Sequence, residues 1–150
     1  GLMAPLFEEF GWRGFALPRL QRRHNALTSA LVVGLGWALW RLAINYLGLS
    51  GQYSGPLLFL LLLISTQFNF ADSVLLSWIH NNTRSSMLLM ILGHFSITMA
   101  NMFGLSNPTM QDFIRINLVN VVIRWLAAIA VIVATGPRRL VRESRSAQET

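Results

Sequence analysis

Two adjacent carboxylates and an arginine lie near the start of the chain, in the stretch EEFGWRGFALPRLQRR. Glu9 and Arg13 are four residues apart with the carboxylate first, the spacing that favours an ion pair on one face of a helix. Glu8 points about 100° away from Glu9 around a helix, so this pair leaves Glu8 without a local cation. A carboxylate placed in this way can take a proton from water, as a general base does. The alternative is that both glutamates only join helices, by pairing with Arg13 and Arg41.

Further ionisable residues lie inside apolar stretches, where a charge costs roughly 2.5–3.5 kcal/mol at the centre of a spanning helix. We predict that the N-terminal helix leaves the membrane at Leu17, before Pro18. Counting 1.5 Å per residue from the predicted helix ends then puts Glu9 and His94 about 12 Å from the same membrane face, with Asp72 at a similar depth. We therefore expect Glu9 and His94 to be able to share one site, and Arg124 to pair with a carboxylate such as Asp72. The same count, made from Ala26 at the start of its span, places Arg41 deeper in the membrane than the glutamates. The ionisable residues inside the apolar stretches, apart from Glu8, Glu9 and Arg13, are Arg41, Asp72, His94, Arg115 and Arg124.

Four apolar segments of 19 to 24 residues can position these side chains. About 20 residues are needed to cross a bilayer as a helix. The chain is 53% hydrophobic and only 12% charged, and a soluble helical bundle would need polar outer faces that these segments barely have. The predicted fold class is therefore all-α, a multi-pass transmembrane helix bundle with four full spans and the end of an N-terminal helix. The predicted spans are 26–49, 57–79, 87–105 and 113–135.

The arginines predict how these spans are oriented. All 12 basic residues are arginine, and outside the spans they lie before the first span, between the second and third, and after the last. Because basic loops remain on the cytoplasmic side, we expect an integral membrane protein with a cytoplasmic C-terminus. We expect residues 1–135 to form one membrane domain that lacks its N-terminal helices, and residues 136–150 to form a basic tail.

Charge and composition also narrow the partners. The net charge of +6 is expected to contact anionic membrane lipid. A nucleic-acid partner is not expected, because the arginines flank spans and form no single soluble patch. The chain contains no cysteine, which excludes disulfide and thiol chemistry.

The stretch EEFGWRGFALPRL resembles motif 1 of the CPBP family, the CAAX protease and bacteriocin-processing enzymes, also called the Abi family, which includes type II CAAX prenyl endopeptidases. That motif is Glu-Glu-x-x-x-Arg, followed by Gly and a Leu-Pro-x-Leu turn. The segment WALWRLA is similar to the second motif, with Arg41 where the family has His. The segment WIHNNTRSSMLLMILGHFSIT is similar to the last motif, with His94 in place and Thr98 where the family has Asn. Asn101 lies one turn further on, and the resemblance covers roughly residues 3–105.

The resemblance implies an intramembrane endopeptidase of a bacterial-type inner or plasma membrane, which cuts a membrane-associated peptide or protein near the cytoplasmic leaflet. In that scheme Glu8 is the general base, His94 helps to activate water or to stabilise the oxyanion, and Glu9 and Arg13 assist. Asp72 and Asn101 are further candidates for supporting these groups.

No cofactor is expected from the residues themselves. Members of the family are often labelled metalloproteases, but the sequence lacks the His-Glu-x-x-His zinc pattern. Zinc is therefore implied by the family label alone, and its ligands would be Glu8, Glu9 and His94.

The replaced motif positions, Arg41 and Thr98, favour a different function. In other enzymes, the loss of one hydrogen-bond donor to the oxyanion lowers the reaction rate by about 10²–10³-fold. The alternative is a catalytically impaired member that binds a membrane peptide or partner, for example in bacteriocin self-immunity. A transporter is a third and weaker alternative, suggested by Arg115 and Arg124.

Overall fold

The computed structural model describes the backbone of residues 3–102 and 109–141 and the side chains of 3–100 and 109–141. Within these residues all regular secondary structure is helical, as the sequence predicts. The elements are α1 (Ala4–Glu9), a π-helical segment (Phe10–Ala16), α2 (Leu17–Gln21), α3 (Ala26–Leu49), α4 (Gly55–Asn82), α5 (Met87–Met102) and α6 (Met110–Thr135).

The first three elements form one helical segment whose middle is widened. The N–H of Leu17 donates to the carbonyl of Trp12, five residues back, in place of the four of an α-helix. Pro18 follows directly, and a proline lacks the N–H and clashes with the carbonyl four residues before it. The segment nevertheless continues through Pro18 to Gln21, which is four residues beyond the predicted exit. Widened turns of this kind are frequent at functional sites.

Among the described residues, three helices are long and apolar enough to cross a membrane, namely α3, α4 and α6. The third predicted span, 87–105, is described as helix α5 over its 16 residues Met87–Met102. Residues 103–105 of that predicted span lie outside the described part of the chain.

The polar stretch STQFNFAD does not interrupt α4, which runs unbroken for 28 residues. Three of its side chains, those of Ser65, Thr66 and Asn69, donate to carbonyls about one turn back. Ser65 Oγ donates to the carbonyl of Leu62 at 2.8 Å, and Asn69 Nδ2 donates to the carbonyl of Ser65 at 2.9 Å. Such local bonds allow polar residues inside an apolar helix.

Helix α4 is the centre of the bundle and packs against α3, α5 and α6. Small residues bring α3 close to it: a Cβ on Gly34 would lie 3.2 Å from the Cα of Phe70. Ser73 Oγ on α4 donates to the carbonyl of Ala30 on α3 at 2.7 Å. Close approach through small residues and interhelical hydrogen bonds is typical of helix pairs in membranes.

Candidate active site

A buried triad joins the N-terminal segment to α5. Glu9 Oε1 accepts a hydrogen bond from Arg13 Nη1 at 2.8 Å, and His94 Nδ1 lies 2.8 Å from the same oxygen. The Glu9 and Arg13 side chains are 0% exposed and that of His94 is 2% exposed. The predicted ion pair and the predicted meeting of Glu9 with His94 are both confirmed. In the tautomer in which Nδ1–H donates to this carboxylate, the ring presents Nε2 as an acceptor.

Glu8 lies beside this triad in a different setting. Its Oε2 accepts a hydrogen bond from Trp37 Nε1 at 2.8 Å, and its side chain is 12% exposed. His94 Nε2 lies 3.9 Å from Oε2, and Arg41 Nη1 lies 4.0 Å from Oε1. The gap to His94 is too long for a direct hydrogen bond and suits a bridging water. Among the residues that the structure describes, Glu8 therefore has no hydrogen-bonded cation, whereas Glu9 is hydrogen-bonded to Arg13.

Trp37 connects the two glutamates. Its ring meets the His94 ring edge-on, with centroids 4.8 Å apart, and the Arg13 guanidinium lies 4.6 Å above its centroid. The sequence analysis did not assign Trp37 to the site. The available signal was the four-residue spacing of Trp37 and Arg41, which puts both on one face of α3.

A cavity of about 160 Å³ opens next to Glu8. Trp37, Arg41 and His94, the three residues that approach Glu8, all line it. Thr98, one turn after His94, lines it as well. Much of the remaining lining was not predicted from the sequence, although the polar stretch STQFNFAD of α4 indicated that this helix faces a polar site. The lining residues that it missed are Asn45, Ser65, Phe68, Asn69 and Ile97.

The far wall of this cavity is an ion pair between helices. Arg124 Nη1 on α6 donates to Asp72 Oδ2 on α4, which confirms the predicted pairing. The Arg124 guanidinium also lies 4.5 Å above the ring of Phe68. Asp72 Oδ1 is buried and has no hydrogen-bond partner among the described atoms.

Of the two remaining candidates, only Arg115 has a described side chain, and it lies apart from this arrangement. Arg115 is exposed near the start of α6. Asn101 belongs to α5, but its side chain lies outside the described residues.

An apolar pocket of about 430 Å³ adjoins the cavity. The two share Asn45, Ser65 and Phe68 in their linings. The rest of the apolar pocket comes from α3, α4 and the start of α6, including Ile44, Leu61, Ile64 and Phe113.

The donor set does not fit a zinc ion. Glu9 Oε1 is bonded to Arg13 and to His94 Nδ1, so Glu8 and His94 Nε2 are left facing one gap, and Glu9 Oε2 is buried with no hydrogen-bond partner among the described atoms. A catalytic zinc usually has three protein ligands. Among residues 3–100 and 109–141, no three His, Asp or Glu side chains are grouped to hold a metal. We therefore derive no step through a metal.

Comparison with known proteins gives the family. Residues 1–100 match the family described as type II CAAX prenyl endopeptidase Rce1-like. The chain belongs to this family, which confirms the resemblance drawn from its motifs. With its apolar helices, it is an integral membrane protein.

One curated relative is the CAAX prenyl protease 2 of Methanococcus maripaludis, which is 32% identical over 108 residues. The match covers 65% of this chain and 36% of the relative, so the chain spans about a third of the relative's length. No solved structure matches significantly.

Proposed function

We propose that the chain carries the catalytic centre of an intramembrane endopeptidase in which Glu8 activates a water molecule. The observation that carries the proposal is the 3.9 Å gap between Glu8 Oε2 and His94 Nε2. Two acceptors facing one gap can each take a hydrogen bond from the same water. His94 is fixed for this role because Glu9 accepts from its other nitrogen, as an acidic partner orients histidine in many hydrolases.

The reaction then follows from these positions. The water oxygen attacks the carbonyl carbon of the peptide bond while one of its protons passes to Glu8. Arg41 and Thr98 line the adjoining cavity and supply donors for the oxyanion of the tetrahedral intermediate. Collapse of the intermediate breaks the C–N bond, and Glu8 returns the proton to the leaving amine.

We propose as substrate the C-terminal part of a membrane-bound protein that carries an apolar modification. The family description and the relative's name both refer to CAAX prenyl substrates. The apolar pocket of about 430 Å³ beside the cavity supports this, since it offers an apolar chain a place next to the reacting carbonyl. The cut is expected near the cytoplasmic leaflet of a bacterial-type membrane, with the basic C-terminus on that side.

A second candidate function rests on Arg41. Its Nη1 lies 4.0 Å from Glu8 Oε1, so this guanidinium competes with water for the carboxylate. The chain would then bind a membrane peptide or partner without cutting it, as in bacteriocin self-immunity.

The test is cleavage of a pooled peptide library, including prenylated CAAX-type peptides, by purified full-length protein in detergent. Glu8→Gln should lower kcat by about 10²–10⁴-fold, the range of a general base. Asp112→Asn, at the start of α6, is the matched control for loss of one carboxylate and should leave kcat unchanged. Cleavage that survives Glu8→Gln would overturn the mechanism.

Arg41→His separates the two candidate functions. If wild type cleaves, Arg41 is compatible with catalysis. If wild type is inactive and Arg41→His gains cleavage, the wild-type chain is a disabled protease whose function is binding.

A further inference from the structure

A second group of charges lies at the end of the bundle where α2, α4 and α6 end and α3 begins. It lines a pocket of about 460 Å³, which we call the basic pocket. The basic pocket shares no lining residue with the cavity beside Glu8. The groups that can carry positive charge in its lining are Arg22, His24, His80, Arg138 and Arg139.

Two of these arginines are carried by a short strap, residues 136–141, that follows α6. Gly136 turns the chain with φ +74°, which suits glycine. The strap then caps α3, since the carbonyl of Arg138 accepts from the N–H of Ala26 at 2.9 Å and that of Pro137 accepts from Leu27 at 3.0 Å. The first N–H groups of a helix have no acceptor within the helix, and the strap supplies acceptors for two of those of α3.

The end of α4 holds the other half of the strap. Asn81 Nδ2 donates to the carbonyl of Arg139 at 2.9 Å, and Asn82 Nδ2 donates to that of Leu140 at 2.8 Å. Leu140 is fully buried although its φ of +50° is unfavourable for a residue with a Cβ. Four hydrogen bonds and one buried side chain therefore fix the backbone from which Arg138 and Arg139 project.

No carboxylate of the described residues neutralises the arginines of the basic pocket. Arg22, Arg138 and Arg139 form no ion pair with any carboxylate in residues 3–100 or 109–141, and no carboxylate lines the pocket. Guanidinium groups match phosphate oxygens with paired hydrogen bonds. We propose that the basic pocket binds the phosphate group of an anionic phospholipid.

The position of the pocket favours a lipid over a soluble phosphate. It lies at the level of the helix ends, where a bilayer has its headgroups. Val141 lines it, and Val133 on the last turns of α6 is 80% exposed, so an acyl chain can lie along α6 while its phosphate meets the arginines. Basic pockets between helices at a membrane surface recognise lipid headgroups in this way.

The experiment is native mass spectrometry of the full chain, purified in neutral detergent and titrated with phosphatidylglycerol or phosphatidylcholine. The test variant is Arg138→Gln/Arg139→Gln, whose exposed side chains leave the strap's backbone bonds in place. The matched control is Arg19→Gln/Arg23→Gln, which removes the same charge from the neighbouring helix end outside the pocket. Circular dichroism checks that both variants are folded.

We expect one phosphatidylglycerol retained per wild-type chain, with about 25-fold weaker binding in the test variant, since each of the two arginines near an anionic surface contributes roughly 1 kcal/mol, or fivefold. The control should bind within about threefold of wild type. Phosphatidylcholine and millimolar inorganic phosphate should not displace the bound lipid.

Three results would overturn the proposal. Equal weakening in both variants would mean diffuse attraction to the membrane surface. Displacement by inorganic phosphate would mean a site for soluble phosphate. Absence of retained phosphatidylglycerol on wild type would mean that the pocket has no such ligand.

Discussion

Two buried ion pairs flank the candidate active site, and they are built differently. Glu9–Arg13 joins neighbouring turns of one helical segment, and both side chains are 0% exposed. Asp72–Arg124 joins α4 to α6, and its side chains are 5% and 12% exposed. The first pair orients His94, whereas the second forms a wall of the cavity.

The two ion pairs have different roles in the same site. The local pair is set by chain spacing and supports the water-activating residues. The long-range pair depends on the packing of two helices, and it brings α6 into the site although the family match ends at residue 100. Disturbing the first pair should therefore affect the whole fold, whereas disturbing the second should mainly affect the position of α6.

The largest effect is expected for Arg13→Gln. The change leaves Glu9 buried without its cation, and removing one partner of a buried pair costs about 3–5 kcal/mol. Denaturant unfolding in detergent should show this loss of stability. Arg23→Gln, at an exposed position after α2, is the control and should change stability by less than about 0.5 kcal/mol. A loss for Arg13→Gln as small as that of the control would show that the triad is not a structural centre.

A smaller effect is expected for Trp37→Phe, which keeps a ring beside His94 but removes the donor to Glu8. A hydrogen bond to a charged acceptor is worth about 1.5–3 kcal/mol, so kcat should fall roughly 10- to 100-fold. The KM should change little, because the ring remains. Trp40→Phe, one turn away at a position 55% exposed, is the matched control. Equal loss in both variants would remove Trp37 from the site.

The long-range pair should show a coupling of about 1–3 kcal/mol in a double-mutant cycle of Asp72→Asn and Arg124→Gln. Unfolding in detergent is the measurement. A parallel cycle of Asp112→Asn and Arg115→Gln uses two charges on exposed turns of α6 and should give no more than about 0.5 kcal/mol. Equal coupling in the two cycles would mean that Asp72–Arg124 does not hold α6 in place.

The contrast between the pairs also explains what could be predicted from the sequence. The Glu9–Arg13 pair follows from spacing alone, and the helical spans follow from hydrophobic length. Counting residues from the helix ends was enough to bring Glu9 and His94 together. These features depend on near neighbours or on one dimension, the depth in the membrane.

The missed features depend on how helices rotate about their axes. No sequence count gives the direction of Trp37 or the shared lining of the cavity. Arg41 was counted deeper than the glutamates, yet it approaches Glu8 within 4.0 Å. The N-terminal segment runs on to Gln21, so the glutamates lie about 6 Å further from its end than the count from Leu17 assumed.

The smallest effect is expected for removal of metal, and it bears on the local pair. Glu9 Oε1 already bonds Arg13 and His94, so a zinc ion could gain Glu9 as a third ligand only through Oε2, which is buried and has no hydrogen-bond partner among the described atoms. Dialysis against a strong chelator such as 1,10-phenanthroline should therefore leave kcat/KM unchanged, while a zinc endopeptidase treated alongside loses its activity. Loss that is restored by added zinc would mean that the glutamates and His94 rearrange around a metal in the working enzyme. The Glu9–Arg13 pair would then be a resting arrangement, and Arg13→Gln should raise zinc affinity rather than only lower stability.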